Sequence, residues 1–82
     1  MVEVIFEENF KKLFSKIKDP LTKEKIIKQI TKIKENPYIG KPMKFSRKGT
    51  REIYIAPYRL SYRYDDVKKI VCILDFYHKD QQ

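Results

Sequence analysis

Val2, Val4 and Phe6 alternate with Glu3, Ile5 and Glu7 at the start of the chain. Period-two alternation places the three apolar side chains on one side of a short strand. The period then changes. Phe10, Leu13, Phe14 and Ile17 fall at i, i+3, i+4 and i+7, one stripe of a helix, with Lys11, Lys12, Ser15, Lys16 and Lys18 outside it. Asp19-Pro20 interrupts the stripe. Proline cannot continue the first helix but suits the first turn of a second, which Asp19 can cap. In that second helix Ile26, Ile27, Ile30 and Ile33 share a face, and Asn36-Pro37 ends it, because a residue before proline avoids helical geometry. Two amphipathic helices joined by a tight turn form an αα-hairpin, whose apolar faces need a sheet or another protein to pack on.

After Pro37 the pattern becomes that of a loop, Tyr38 to Thr50, holding both glycines, Pro42 and room for one short strand around Met43 to Phe45. Two strands follow, Arg51 to Ala56 and Tyr58 to Tyr64, separated at Pro57. Asp65-Asp66 marks a turn, and Lys69 to Tyr77 reads as a further strand. Its continuous apolar run from Ile70 to Leu74 predicts a central position, buried on both faces. Arg51, Ile53 and Ile55 share one face of their strand. Leu60 shares that helix-covered side, which leaves Glu52, Tyr54, Arg59, Ser61 and Arg63 on an uncovered face. The expected architecture is α+β: an N-terminal strand and an antiparallel helical hairpin packed on one face of a mainly antiparallel four-stranded sheet. Residues 1–82 form one domain. Phe10, Leu13, Phe14, Ile17, Ile26, Ile30 and Ile33 should pack against Ile53, Ile55, Leu60 and Cys72.

Charge alters the picture of the surface. The net charge is +8, and no acid interrupts residues 41 to 51, where Lys41, Lys44, Arg47, Lys48 and Arg51 cluster. Such a surface suits a polyanion: nucleic acid, an anionic membrane or an acidic protein. A lysine-rich surface kept for solubility is the alternative. On the uncovered sheet face, phosphates can meet cations and bases can stack on aromatics. His78, the only histidine, belongs to a residue type whose ordinary pKa of about 6.5 suits acid–base work. The lone Cys72 cannot form an internal disulfide and fits the core of a protein in a reducing compartment. One histidine and one cysteine make no metal constellation. No phosphate-binding glycine motif is present, so no cofactor or small-molecule substrate is expected. Acids stand where a signal peptide needs a basic region, and no stretch reaches the ~18 apolar residues of a membrane span. The expectation is a cytoplasmic protein without membrane contact.

Residues 36 to 62, NPYIGKPMKFSRKGTREIYIAPYRLSY, resemble a recurrent segment of RelE/ParE toxins. The matching pieces are Pro37 ending the second helix, the loop Gly40-Lys41-Pro42-Met43, the strand Arg51 to Ala56, and Tyr58-Arg59-Leu60. Tyr77-His78-Lys79-Asp80 is similar to the family's last-strand ending, and the order of elements matches over the whole chain. The resemblance implies a toxin of a type II toxin–antitoxin system that cleaves mRNA on the ribosome without a metal, by attack of the RNA 2′-OH on the adjoining phosphate. The alternative it implies is non-enzymatic: a gyrase-binding toxin, or a degenerate one acting only with its antitoxin. A generic RNA-binding module is a third possibility. An acidic antitoxin is the implied protein partner, with ribosome and mRNA as targets. Carried over by position, Arg59 holds the scissile phosphate, and His78 and Tyr54 complete the catalytic set. Lys41, Lys44, Arg47, Lys48, Arg51, Arg63 and Lys79 supply RNA contacts. The sequence departs from the family at Glu52 and Tyr54, where cations are common, and at Gln82, where an aromatic is usual.

Overall fold

The computed structural model describes residues 2–44 and 49–81. Arg47, Lys48, Phe45 and Gln82, named above, lie outside the described residues. Strand β1 (Glu3–Phe6) leads into helices α1 (Glu8–Lys16) and α2 (Pro20–Glu35). Strands β2 (Lys41–Pro42), β3 (Arg51–Ile55), β4 (Tyr58–Asp65) and β5 (Ile70–His78) follow, then a 3₁₀ turn, Lys79–Gln81. Helix α2 begins and ends where the sequence places it, while α1 stops at Lys16 and leaves Ile17, the last residue of its stripe, in extended geometry. Asp19 caps α2 by accepting from the Leu21 backbone N–H at 3.2 Å and from Thr22 Oγ1 at 2.7 Å, with Pro20 in the first turn. These bonds hold the Asp19 carboxyl below its usual range. No described helix is long and apolar enough to cross a membrane.

The strands form one mixed sheet in the order β1-β5-β4-β3-β2. Pairing is antiparallel except between β1 and β5, which run parallel. The expected four strands become five because a two-residue strand, β2, pairs with the edge of β3. It lies at Lys41–Pro42, ahead of the expected Met43–Phe45. Proline fits there because an edge strand can leave one ladder donor unused.

The core lies between the hairpin and one sheet face. Phe10, Ile26 and Ile33 from the helices meet Ile55, Leu60, Tyr62, Val71, Ile73 and Phe76, all buried. Leu13, Phe14, Ile17, Ile30 and Ile53 pack against this cluster while keeping partial exposure. β5 is an interior strand, between β1 and β4, but only one of its faces is sealed: Val71 and Ile73 are fully buried, whereas Ile70, Cys72 and Leu74 are half-buried. Cys72 is therefore not packed under the helices. It pairs in register with Arg63 on the opposite face, because period-two geometry sends it away from Val71 and Ile73.

One irregularity sets the faces at the end of β5. Ser61 pairs with Asp75 and Tyr62 with Ile73, so Leu74 is an extra residue on β5. This bulge reverses the alternation. Val71 and Ile73 face the helices before it, Phe76 and His78 after it. Tyr77 is turned onto the uncovered face, in register with Arg59.

Candidate functional site

The site is built from β3, β4 and the end of β5. Tyr54 pairs with Arg59, Glu52 with Ser61, and Arg59 with Tyr77. Paired residues project to the same side of a sheet, so these five side chains share the face that no helix covers. Lys41, in register with Glu52, borders them from β2. Tyr54 is 53% exposed. The Arg59 guanidinium carbon lies 5.8 Å from the centre of the Tyr54 ring, within cation–π range. Arg59 Nη1 lies 3.6 Å from Glu52 Oε1, and the Tyr77 hydroxyl donates to Glu52 Oε2. Arg59 Nε is buried without a hydrogen-bond partner among the described residues, while the side chain as a whole keeps 36% of its exposure.

Glu52 and Ser61 occupy the expected face but are buried there. A period-two rule assigns the face and carries no information about burial within it. Tyr77 is the residue that sequence reasoning missed as part of this cluster. The β5 bulge places it, and no residue in the run from Ile70 to His78 announces that bulge.

His78 does not join Arg59. It pairs with Tyr58, and its ring meets the Tyr58 ring edge-on with centroids 5.7 Å apart. Tyr58 in turn packs on Phe76, on the helix side of the sheet. His78 thus lines a groove with Leu13, Lys16, Ile17, Lys18 and Asp19, below the turn between the helices. Its Nδ1 accepts from the Asp80 backbone N–H at 3.3 Å and lies 3.6 Å from the Asp80 carboxylate. The expected convergence of Arg59 and His78 on one face is corrected by the register after the bulge.

The basic residues are dispersed. Lys41, Lys44, Arg63 and Lys79 are exposed. Arg51 lies on the helix side and is tied inward: its Nη1 donates to the Gly40 carbonyl at 2.8 Å and to the Tyr38 carbonyl at 3.2 Å, and its guanidinium sits 5.3 Å from the Tyr38 ring. This fastens the start of the basic loop to β3. Tyr62 fastens the same segment from beneath. Its buried hydroxyl accepts from the Gly40 N–H at 2.8 Å and donates to the Pro37 carbonyl at 2.7 Å. Burial pushes the Tyr62 phenol above its usual 10.0, against the opposing pull of the Gly40 bond and the Arg51 charge. The described residues contain no group of three or more acidic, histidine or cysteine side chains placed to hold a metal ion.

This arrangement offers a guanidinium on an aromatic platform, open to solvent and backed by a buried carboxylate. It can receive a phosphate beside a stacked base. The family model for the ParE toxin of the type II toxin–antitoxin system parDE matches residues 4–82. The structure is similar to the toxin–antitoxin complex RelBE2 from Mycobacterium tuberculosis, with a TM-score of 0.84 and 26% identity over 95% of this chain and 98% of that one. It is similar to the intact Escherichia coli RelBE toxin–antitoxin complex, with a TM-score of 0.81 and 21% identity over 95% and 96%. The YoeB/ParE toxin from Agrobacterium tumefaciens matches with a TM-score of 0.83 and 18% identity over 94% and 98%. No curated protein sequence matches at a significant level.

Proposed function

The chain belongs to the ParE toxin family of type II toxin–antitoxin systems, within the RelE/ParE superfamily, and we propose that its activity is cleavage of mRNA held on the ribosome. The observation that carries this reading is the Arg59–Tyr54 pair on the open sheet face. The guanidinium contacts the scissile phosphate, and the Tyr54 ring stacks a neighbouring base. The 2′-oxygen attacks phosphorus as its proton passes to water. The bond to the 5′-oxygen breaks, leaving a 2′,3′-cyclic phosphate and a 5′-hydroxyl. Arg59 stabilises the charge that grows on the phosphorane oxygens, and the Tyr54 hydroxyl donates a proton to the departing oxygen. His78 meets RNA where a strand rounds the end of β5, in the groove it lines with Lys16 and Lys18. The ribosome supplies the ordering of mRNA that this sparse cluster does not supply itself. Lys41, Lys44, Arg63 and Lys79 steer the polyanion, as do Arg47 and Lys48.

A second reading is favoured by one observation. Arg59 is paired with Glu52 at a position where many relatives of the resembled family carry cations. That pairing suits a toxin that binds a protein target, such as gyrase, without cutting RNA. The two separate in parallel assays of the purified protein: primer-extension mapping of mRNA on translating ribosomes, and supercoiling by gyrase. Discrete cuts with supercoiling intact are the expected result. Inhibited supercoiling without cuts establishes the second reading.

In either reading an acidic antitoxin is the partner of the intact system. The relatives crystallised as RelBE complexes support an antitoxin partner.

A further inference from the structure

Glu52 lies on a sheet face without helices, yet it is only 5% exposed. Its two carboxylate oxygens are divided between neighbours: Oε2 accepts from the Tyr77 hydroxyl, and Oε1 faces Arg59 Nη1 at 3.6 Å. A carboxylate removed from water needs a counter-charge. Arg59 supplies one, so the cation that the proposed function assigns to phosphate is already partly neutralised from within.

The pair is not a saturated one. At 3.6 Å it is longer than the 2.7–2.9 Å of charge-assisted hydrogen bonds. A guanidinium carries five donors; here Nε has no partner among the described residues, and the side chain keeps access to solvent. If Arg59 turned toward an incoming phosphate, the Tyr77 hydroxyl would still be bonded to Glu52, and Lys41 lies opposite it in register. The carboxylate need not be abandoned in the low-dielectric face when Arg59 leaves it.

We propose that Glu52 is a specificity-determining residue of the Arg59 site: its carboxylate competes internally with phosphate for the guanidinium. Single-stranded RNA is therefore gripped weakly unless its backbone is already held in place. This rests on the assignment of Arg59 to phosphate, and the test keeps the two apart. A role for Glu52 in stability alone predicts that its removal weakens binding or leaves it unchanged. Competition predicts the reverse, and only where Arg59 is present.

The probe is a single-stranded 2′-O-methyl oligonucleotide, which lacks the attacking hydroxyl and cannot be cut, followed by fluorescence anisotropy over a range of salt. Glu52→Gln keeps the side-chain shape without the charge. Glu52→Thr removes the carboxylate with a residue favourable in strands. Folding of each is checked by circular dichroism. Both should bind roughly three- to tenfold tighter than wild type at low salt. The salt slope should steepen by about 0.7, the increment for one more neutralised phosphate on a single strand. Arg59→Ala should bind more weakly than wild type, and adding Glu52→Gln to it should restore nothing. If both folded Glu52 variants bind no tighter than wild type while Arg59→Ala binds more weakly, the competition is overturned and the phosphate role of Arg59 stands. If Glu52→Gln tightens binding equally with and without Arg59, the effect is general charge and the proposal is overturned. If Arg59→Ala alone changes nothing, the phosphate assignment falls and the competition with it.

Discussion

Among individual residues, Tyr62 shows how much a single polar atom can settle. Its sequence context, an aromatic in a strand, marks it as a packing residue, and it is fully buried. What the sequence does not display is the work of the hydroxyl, which bonds Gly40 and Pro37 across more than twenty positions of chain. A Cβ at position 40 would come within 2.6 Å of that oxygen, so the glycine is required by close approach. Tyr62→Phe leaves a buried N–H and a buried carbonyl without their partner, and should cost about 1–3 kcal/mol in denaturant unfolding. A pH signature accompanies it. Because the folded phenol is raised above the ordinary 10.0, the stabilisation is complete below that pH. It is lost as the pH climbs from there through the folded value, since the unfolded chain ionises first. Urea midpoints measured across the alkaline range should fall more steeply for wild type than for Tyr62→Phe; parallel curves would remove this role. Arg59 and Tyr54 were legible from strand parity and from the Tyr-Arg-Leu resemblance, and the structure places them together. The Glu52 face was equally legible, but its burial and its bond to Tyr77 were not.

Secondary-structure elements follow the hydrophobic periods closely. The hairpin's limits come from Asp19-Pro20 and Asn36-Pro37, local signals that act through backbone geometry and survive any tertiary context. Which isoleucines of α2 carry the packing is finer detail: Ile26 is fully buried and Ile27 is 55% exposed, although the two are adjacent and chemically identical. Ile26→Ala should therefore cost about 2–5 kcal/mol, while Ile27→Ala should stay within about 1 kcal/mol. Thermal or urea unfolding of the two variants decides it, and equal losses would mean the helix is rotated about its axis. The sheet was less legible than the helices. Antiparallel pairing of β3, β4 and β5 follows from short connections, but the parallel placement of β1 beside β5 depends on contacts across the whole chain. The bulge at Leu74 is the decisive gap. It moves one side chain out of phase, so that Tyr77 joins Arg59 and His78 departs to the Tyr58 side. A single inserted residue has no compositional mark in an apolar run, which is why the pairing of Arg59 with His78 failed while the strand itself was correctly expected.

At the scale of the whole molecule, the net charge of +8 and the open sheet face define how partners arrive. An acidic antitoxin should associate fast at low salt, with the rate falling steeply as the Debye length shrinks below about 10 Å. Stopped-flow mixing at several ionic strengths tests this, and a rate indifferent to salt would remove the electrostatic picture. The charge attracts RNA and acidic protein alike, so it cannot by itself distinguish a ribonuclease from a toxin that only binds. The distinction is tested at Arg59, through the chemistry proposed for it. A contact that strengthens in the transition state is worth about 3 kcal/mol, or roughly a hundredfold in rate; truncating Arg59 also removes a counter-charge from the buried Glu52, so the fold of the variant is measured beside its rate. The most direct measurement is the rate of mRNA cutting on purified ribosomes by wild type and Arg59→Ala, with circular dichroism confirming the fold of both. The expected result is discrete cuts by wild type and a loss of about a hundredfold in the variant; full cutting by a well-folded Arg59→Ala protein, or none by wild type, would contradict it.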